Sequence, residues 1–429
     1  MGLTLVITFL LGMAIGFPIS ISMGGSGFLA LVASGKLSLL TVPQRFFNGI
    51  NSFPLMAVPF FILAADLMSA SGITMSLLRF TGNMVGHIRG GLGHVNILTM
   101  MLFAGISGSA LADAAGPGAL IMRMMKKAGY DGYYSAALTA STAIMGPIIP
   151  PSIIMVIYAI TDTKVTVAGL FLAGVVPGVF MALALAALNH ITAIRRNYLF
   201  RSPLVTWKER LQSVWRAVPA LLMPVIIIGG ILSGIFTATE ASAVAVFYAL
   251  FVGFFVTKKL TLRNLPKVVV QSALVTSAAL LIVSMASLFA NILTVVQVPQ
   301  TVAAYIMGIS RDPTVVMTIV AIFVLICGMF IDTLPAVIIL VPVLAPLADQ
   351  VGINPLHFAM AFVLNITIGM VTPPVGAVLF ILTAVGQLSF ERLSRAILPM
   401  VLVLLAVLAT VMYIPAISLT LPKLFGFSR

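Results

Sequence analysis

Apolar residues run along this chain in stretches far longer than a soluble fold tolerates. No Asp, Glu, Lys or Arg occurs in the 43 residues between Lys267 and Arg311, nor in the 41 between Asp349 and Glu391. About 20 apolar residues suffice for one helical crossing of a bilayer, and only helices or closed barrels satisfy their backbone there. The pattern predicts crossings over 52–70, 133–160, 166–194, two within 217–257, 271–295, 356–385 and 397–420. Two short helices, broken near Gly16-Phe17-Pro18, precede Lys36. The expected fold is an all-α polytopic membrane protein with about ten transmembrane helices, and a soluble enzyme and a β-barrel are excluded.

Two further segments do not read as crossings. Residues 89–127 begin at Arg89 and end at Lys126-Lys127, whereas 312–349 begin and end with Asp. Each has an irregular middle, at Gly105–Ser109 and at Gly328–Pro335. They are expected to be re-entrant hairpins entering from opposite sides, since irregular backbone survives at that depth only inside protein or beside a wet cavity.

Shifting the chain by 223 residues superimposes its landmarks. Gly105 falls on Gly328, taken as the two hairpin tips; Gly129 falls on Gly352, Gly146 on Gly369, and Pro150-Pro151 on Pro373-Pro374. Five crossings precede the second half, so the repeats are expected to be inverted, a hallmark of secondary transporters with broken helices at midplane. The predicted organisation is a first repeat over 1–194 with its hairpin at 89–127, a basic linker with an interfacial arm over 195–216, and a second repeat over 217–429 with its hairpin at 312–349.

Composition sharpens this picture. Hydrophobic residues make up 61% and charged residues 8%, with mean hydropathy +1.19, against about 25% charged in a soluble domain. The net charge of +13 would suggest nucleic acid in a soluble protein. Here most Lys and Arg sit in short loops, including Arg195, Arg196, Arg201, Lys208, Arg210 and Arg216, which marks those loops as cytoplasmic. Both termini are then expected in the periplasm. The N-terminus lacks a basic leader and cleavage site, so residues 3 onward read as mature helix. The single Cys327 excludes an internal disulfide. Leu204, Trp207, Leu211, Val214, Trp215 and Val218 recur at helical spacing opposite basic residues, predicting an arm in the membrane interface.

Candidate chemistry gathers at the double prolines. Proline removes amide donors, so carbonyls of 146–149 and 369–372 lose helical partners beside Ser and Thr hydroxyls, a hard-oxygen cage suited to an alkali cation. Half-helix N-termini at the hairpin tips suit an anion. Ser109 aligns with Asp332 under the shift, and an acid within the membrane costs about 3 kcal/mol, so Asp332 should face a cavity or an ion; the alternative is a helix cap. Asp113 reads equally as a dipole cap or a functional acid, and Glu240 as a solvated turn residue. His87, His94, His190 and His357 lack ligand spacing, Gly24–Gly27 reads as helix packing, and Asn365-Ile366-Thr367 lies inside a helix. No HExxH or GxSxG motif supports an intramembrane enzyme, and no cofactor is expected. A channel gains its pore by symmetry around an axis, whereas here one chain pairs two hairpins around a closed site.

Several runs carry a resemblance. Phe103–Asp113, Gly129–Asp131, Gly146–Ser152, Phe236–Glu240 and Thr372–Gly376, in order along the whole chain, resemble the large membrane subunit of tripartite ATP-independent periplasmic (TRAP) transporters. The resemblance implies a sodium-driven importer of organic carboxylates such as sialic acid, C4-dicarboxylates or keto acids, working by an elevator movement in the bacterial inner membrane. It also implies two partners, a separate small four-helix membrane subunit and a periplasmic substrate-binding protein. A stand-alone sodium/dicarboxylate transporter of related architecture is the alternative. Two sodium sites are predicted, one from Ser107, Ser109, Gly146 and Ile149, the other from Gly328, Thr333, Gly369 and Thr372. Substrate is expected between the tips, touching Ser109, Ser152 and Asp332.

Overall fold

The computed structural model describes every residue except 36, 37, 199, 201, 202, 204, 428 and 429, so Lys36, Arg201 and Leu204 lie outside the described residues. The described chain is helical, with no strand. Eight described helices are long and apolar enough to cross a membrane, and two of these, Pro313–Phe330 and Thr333–Gln350, are the arms of the second hairpin. The other six combine with the short pair Gly2–Ile15 and Ile19–Ser34 and with two interrupted helices, Gly132–Ala143 with Ile153–Thr161 and Pro355–Gly369 with Ala377–Gly386. That recovers ten crossings among the described residues.

The 223-residue register reaches the helix boundaries. Adding 223 to Ala110–Lys127 gives 333–350, the bounds of Thr333–Gln350. The caps recur too. Gly129 and Gly352, at φ +85° and +79°, end the hairpins' exit arms in the left-handed conformation that favours glycine. Two residues on, Asp131 Oδ1 accepts from the Tyr134 amide at 2.8 Å, and Asn354 Oδ1 accepts from the Leu356 amide at 3.0 Å. Each side chain caps the helix that follows.

Polar contacts at the two ends of Val167–Arg195 locate the hairpins. Its 29 residues span about 43 Å. Beyond its C-terminal end, Asn197 Oδ1 accepts from Arg89 at 3.0 Å and Arg196 meets Asp131 at 3.8 Å, so both ends of the first hairpin reach one face. Before its N-terminal end, Lys164 pairs with Asp349, the last acid of the second hairpin. Thr318 and Tyr413 share a hydroxyl contact of 2.8 Å, and His357 bonds the Met412 carbonyl, so the second hairpin's ends gather on the opposite face.

Several details differ from the sequence expectation. Gly105 and Gly328 remain helical; the chain turns three residues later, at Gly108-Ser109 and Ile331-Asp332. The arm over 204–218 is no separate element, because Trp207–Leu232 is one helix that includes Pro219 and Pro224. Helices Ile73–Val85 and Val298–Ile309 fill segments the apolar pattern left unassigned. Gly24 and Gly27 do serve packing: a Cβ on Gly27 would lie 2.9 Å from Leu288 Cδ2 on the neighbouring helix Leu265–Val295. Asn365 is buried and donates to the Ala321 carbonyl at 2.7 Å. Glu240 completes a capping box with Thr237, accepting from its amide at 2.8 Å.

Candidate functional site

Each hairpin turn lies against an interrupted helix because glycine lets the backbones meet. A Cβ on Gly108 would stand 2.7 Å from the Pro151 carbonyl oxygen. One on Gly146 would meet Asp113 Oδ2 at 2.6 Å and the Ser109 amide at 3.2 Å. In the second half, a Cβ on Gly369 would fall 2.6 Å from Gly328 Cα, so those two glycines touch backbone to backbone.

Between the tips lies a cavity of about 330 Å³. Ser107 and Ser109 line it from the first hairpin, Asp332 and Thr333 from the second, and Asp66 from the helix Ala57–Ala70. The remaining wall is largely apolar, including Ile62, Leu111, Pro147 and Met370. Such a cavity, mostly apolar with a few convergent polar groups, suits one small polar ligand. Ser109 caps the exit arm, accepting from the Ala112 amide at 3.4 Å, and its own amide donates to Ser107 Oγ at 3.3 Å. Asp332 stands at the start of its own arm, Oδ1 accepting from the adjacent Thr333 amide at 2.8 Å. It therefore holds the cap position and also walls the cavity, the two readings its sequence position left open.

Asp113 is the outlier. It is fully buried, and the Ser107 hydroxyl is the one polar side chain beside its carboxylate, with no close hydrogen bond to either oxygen among the described residues. A buried anion without compensation is costly. Around it stand the Ser107 hydroxyl, the Gly146 backbone and the Ser109 turn. The Gly146 and Ile149 carbonyls receive no hydrogen bond among the described residues. Oxygen donors with spare lone pairs beside an orphan carboxylate suit a hard monovalent cation. A π-turn over Ala114–Gly118, carrying Pro117, follows immediately.

The predicted residues are thus only partly assembled. Ser107, Ser109, Asp332 and Thr333 share the cavity, while Gly146 and Ile149 sit at the first interruption. Around the second, the Gly369 carbonyl accepts from the Thr372 amide at 3.0 Å, and the Thr372 hydroxyl donates to Ile368 at 2.8 Å. The position equivalent to Asp113 is Ala336, so no acid stands there. Ser152 does not line the cavity. It is fully buried, donating to the Pro147 carbonyl at 2.6 Å and accepting from the Met155 amide at 3.2 Å. Sequence reading missed Asp66, whose Oδ2 accepts from the Ser272 hydroxyl at 2.6 Å. It is the only charged residue between Arg45 and Arg79, a signal that marks intramembrane acids.

The chain is similar to known proteins over nearly its whole length. The family model "Tripartite ATP-independent periplasmic transporter, DctM component" matches residues 6–417. The chain is 40% identical over 410 residues to the sialic acid TRAP transporter large permease protein SiaM of Vibrio cholerae, covering 96% of each chain. It is 39% identical over 407 residues to the C4-dicarboxylate TRAP transporter large permease protein DctM of Pseudomonas aeruginosa, covering 95% of each. The isethionate TRAP transporter permease protein DctMQ of Oleidesulfovibrio alaskensis is 38% identical, over 96% of this chain and 65% of that one. Among solved structures, the Alcanivorax borkumensis YdaH transporter matches with TM-score 0.65 and 14% identity, over 91% of this chain and 89% of that one, a likeness of fold.

Proposed function

The chain belongs to the tripartite ATP-independent periplasmic transporter family as a DctM component, and from that premise we propose that it imports an organic carboxylate in symport with sodium. It is a transporter permease rather than an enzyme. The family pairs such a permease with a small membrane subunit and a periplasmic binding protein, which hands substrate to the cavity from the periplasmic face. Relatives named for sialic acid and C4-dicarboxylates support a carboxylate cargo.

The observation that carries the reading is the shared cavity, with Ser107 and Ser109 from one hairpin facing Asp332 and Thr333 from the other. In this reading the Ala110 and Leu111 amides, which find no acceptor among the described residues, hold the substrate carboxylate at the start of the exit arm. Asp332 accepts hydrogen bonds from substrate hydroxyl or amine groups, since an ionised acid repels the carboxylate. One sodium ion sits among Ser107, Ser109, Gly146, Ile149 and Asp113, balancing the orphan acid. A second sits among Gly328, Thr333, Gly369 and Thr372, whose own oxygens are all neutral. The two halves, 1–194 and 217–429, act as inverted repeats joined by the basic linker 195–216, and the hairpins with their interrupted helices slide as an elevator against the other helices. The matched caps and the opposite faces reached by the hairpins support this arrangement. The basic face is then cytoplasmic and both termini are periplasmic.

Reconstituting the permease with its small subunit tests the reading. Uptake of a panel of sialic acid, C4-dicarboxylates and keto acids is measured with and without the periplasmic binding protein. Uptake of one carboxylate only when the binding protein is present is the expected result. Equal uptake without it would favour a stand-alone transporter.

A further inference from the structure

A second concavity lies away from the hairpins, between Ile73–Val85, the first turns of Trp207–Leu232 and the loop that follows Ala238–Val256. It encloses about 300 Å³, and Arg79, Arg216 and Lys259 line it together with Ser76 and Asn83. The Lys259 amine lies against Gly72 at the start of the first of these helices. None of the three cations has an ion-pair partner among the described residues. One acid, Glu209, borders the pocket, but its Oε2 is engaged by its own helix cap. It accepts from the Thr206 amide at 2.8 Å and the Thr206 hydroxyl at 2.9 Å. Three cations against this one carboxylate leave the pocket net positive.

Its depth in the membrane follows from helix length. Trp207–Leu232 has 26 residues and spans about 39 Å, against a hydrocarbon core of about 30 Å. Its charges, Lys208, Glu209, Arg210 and Arg216, all fall in the N-terminal part, which places the first turns in the headgroup layer. There Trp207, Leu211 and Trp215 recur every four residues and are 77%, 61% and 78% exposed, the placement of aromatic anchors at a membrane interface. The pocket thus combines three unpaired cations with an exposed apolar flank on the same helix.

We propose that this pocket binds the phosphate of an anionic phospholipid from the cytoplasmic leaflet. The two guanidiniums and the Lys259 amine take the phosphate oxygens, while Ser76 and Asn83 are placed for headgroup hydroxyls. Inorganic phosphate offers the same charge but no acyl chain to lie along Trp207, Leu211 and Trp215.

The test uses the full chain in detergent, with lipid binding read by native mass spectrometry and by lipid-dependent thermal stabilisation. Phosphatidylglycerol, phosphatidylethanolamine and inorganic phosphate are titrated separately. Arg79→Gln and Arg216→Gln should each weaken phosphatidylglycerol binding about fivefold, and together about 25-fold, while Arg311→Gln on the opposite face changes nothing. Retention of parent affinity by the double variant overturns the proposal. Should that variant not fold, the single variants and the parent decide. Equal binding of phosphatidylethanolamine, or equal stabilisation by inorganic phosphate, rules out an anionic lipid site.

Discussion

Replacing Asp113 by Asn keeps the size and one oxygen of a fully buried side chain but removes its charge. In the proposed sodium-bound state the carboxylate faces a cation within the shell formed by Ser107, Ser109 and Gly146. Two unit charges about 4 Å apart attract by about 4 kcal/mol at an effective dielectric of about 20. The amide oxygen retains a weaker dipolar attraction, so about 3 kcal/mol should be lost, or roughly 100-fold in sodium affinity. The sodium-free protein should respond oppositely, because a carboxylate buried with only the Ser107 hydroxyl beside it is poorly compensated and the substitution removes its charge. The assay is thermal unfolding of the purified chain across a sodium series, with potassium holding ionic strength constant. Parent protein should be stabilised by sodium at low concentration. Asp113→Asn should have an unfolding temperature in potassium no lower than the parent's and need roughly 100-fold more sodium for the same rise. A variant with the parent's sodium midpoint would refute the assignment of Asp113 to an ion. So would a variant destabilised equally in both salts, which would mark Asp113 as a structural residue.

Three other substitutions probe the rest of the site and the topology. Asp332→Asn should lower uptake of a hydroxylated acid at least tenfold while leaving the sodium midpoint near the parent's; a variant with intact uptake and lower expression would reduce Asp332 to its capping role. Ser152→Ala removes the cap of Ile153–Thr161 and should cost about 1 kcal/mol of stability, with little change in substrate affinity because Ser152 does not reach the cavity; a large loss of affinity for every carboxylate would restore it to the substrate shell. Single cysteines at Arg89 and Lys126, in a Cys327→Ser background, should be labelled only from the cytoplasm, and those at Asp312 and Asp349 only from the periplasm. Labelling of one hairpin's two ends from opposite sides would break the inverted-repeat account.

Much of the architecture was legible because glycine, proline and capping residues are tied to backbone geometry. Gly129 and Gly352 recur 223 residues apart because each ends an exit arm at positive φ. Pro150 and Pro373 recur because each helix must stop beside a hairpin turn. The turns themselves were misplaced by three residues, since a glycine within a buried helix, such as Gly105, looks the same as one at a turn. Gly105 is there for close packing, with a Cβ only 2.9 Å from Pro224 Cγ. The position of Ser152 after Pro-Pro points to the substrate shell, but sequence does not reveal that its hydroxyl is spent on Pro147 and Met155. Asp113 carried two readings because burial and the lack of a partner are tertiary facts. Asp66 was readable as a lone acid in an apolar stretch, and only the fold shows that it faces the same cavity as Asp332.

Sodium-driven accumulation is the most direct test of the central claim. The permease, reconstituted with its small subunit in proteoliposomes and supplied with substrate-loaded binding protein, is given an inward sodium gradient, an equal potassium gradient, or none. The account predicts accumulation of the carboxylate above equilibrium with the sodium gradient alone, with a Hill coefficient for sodium above one, and a shift of that dependence to higher sodium in Asp113→Asn. Accumulation that is indifferent to sodium, or that persists unchanged when potassium replaces it, would contradict the account.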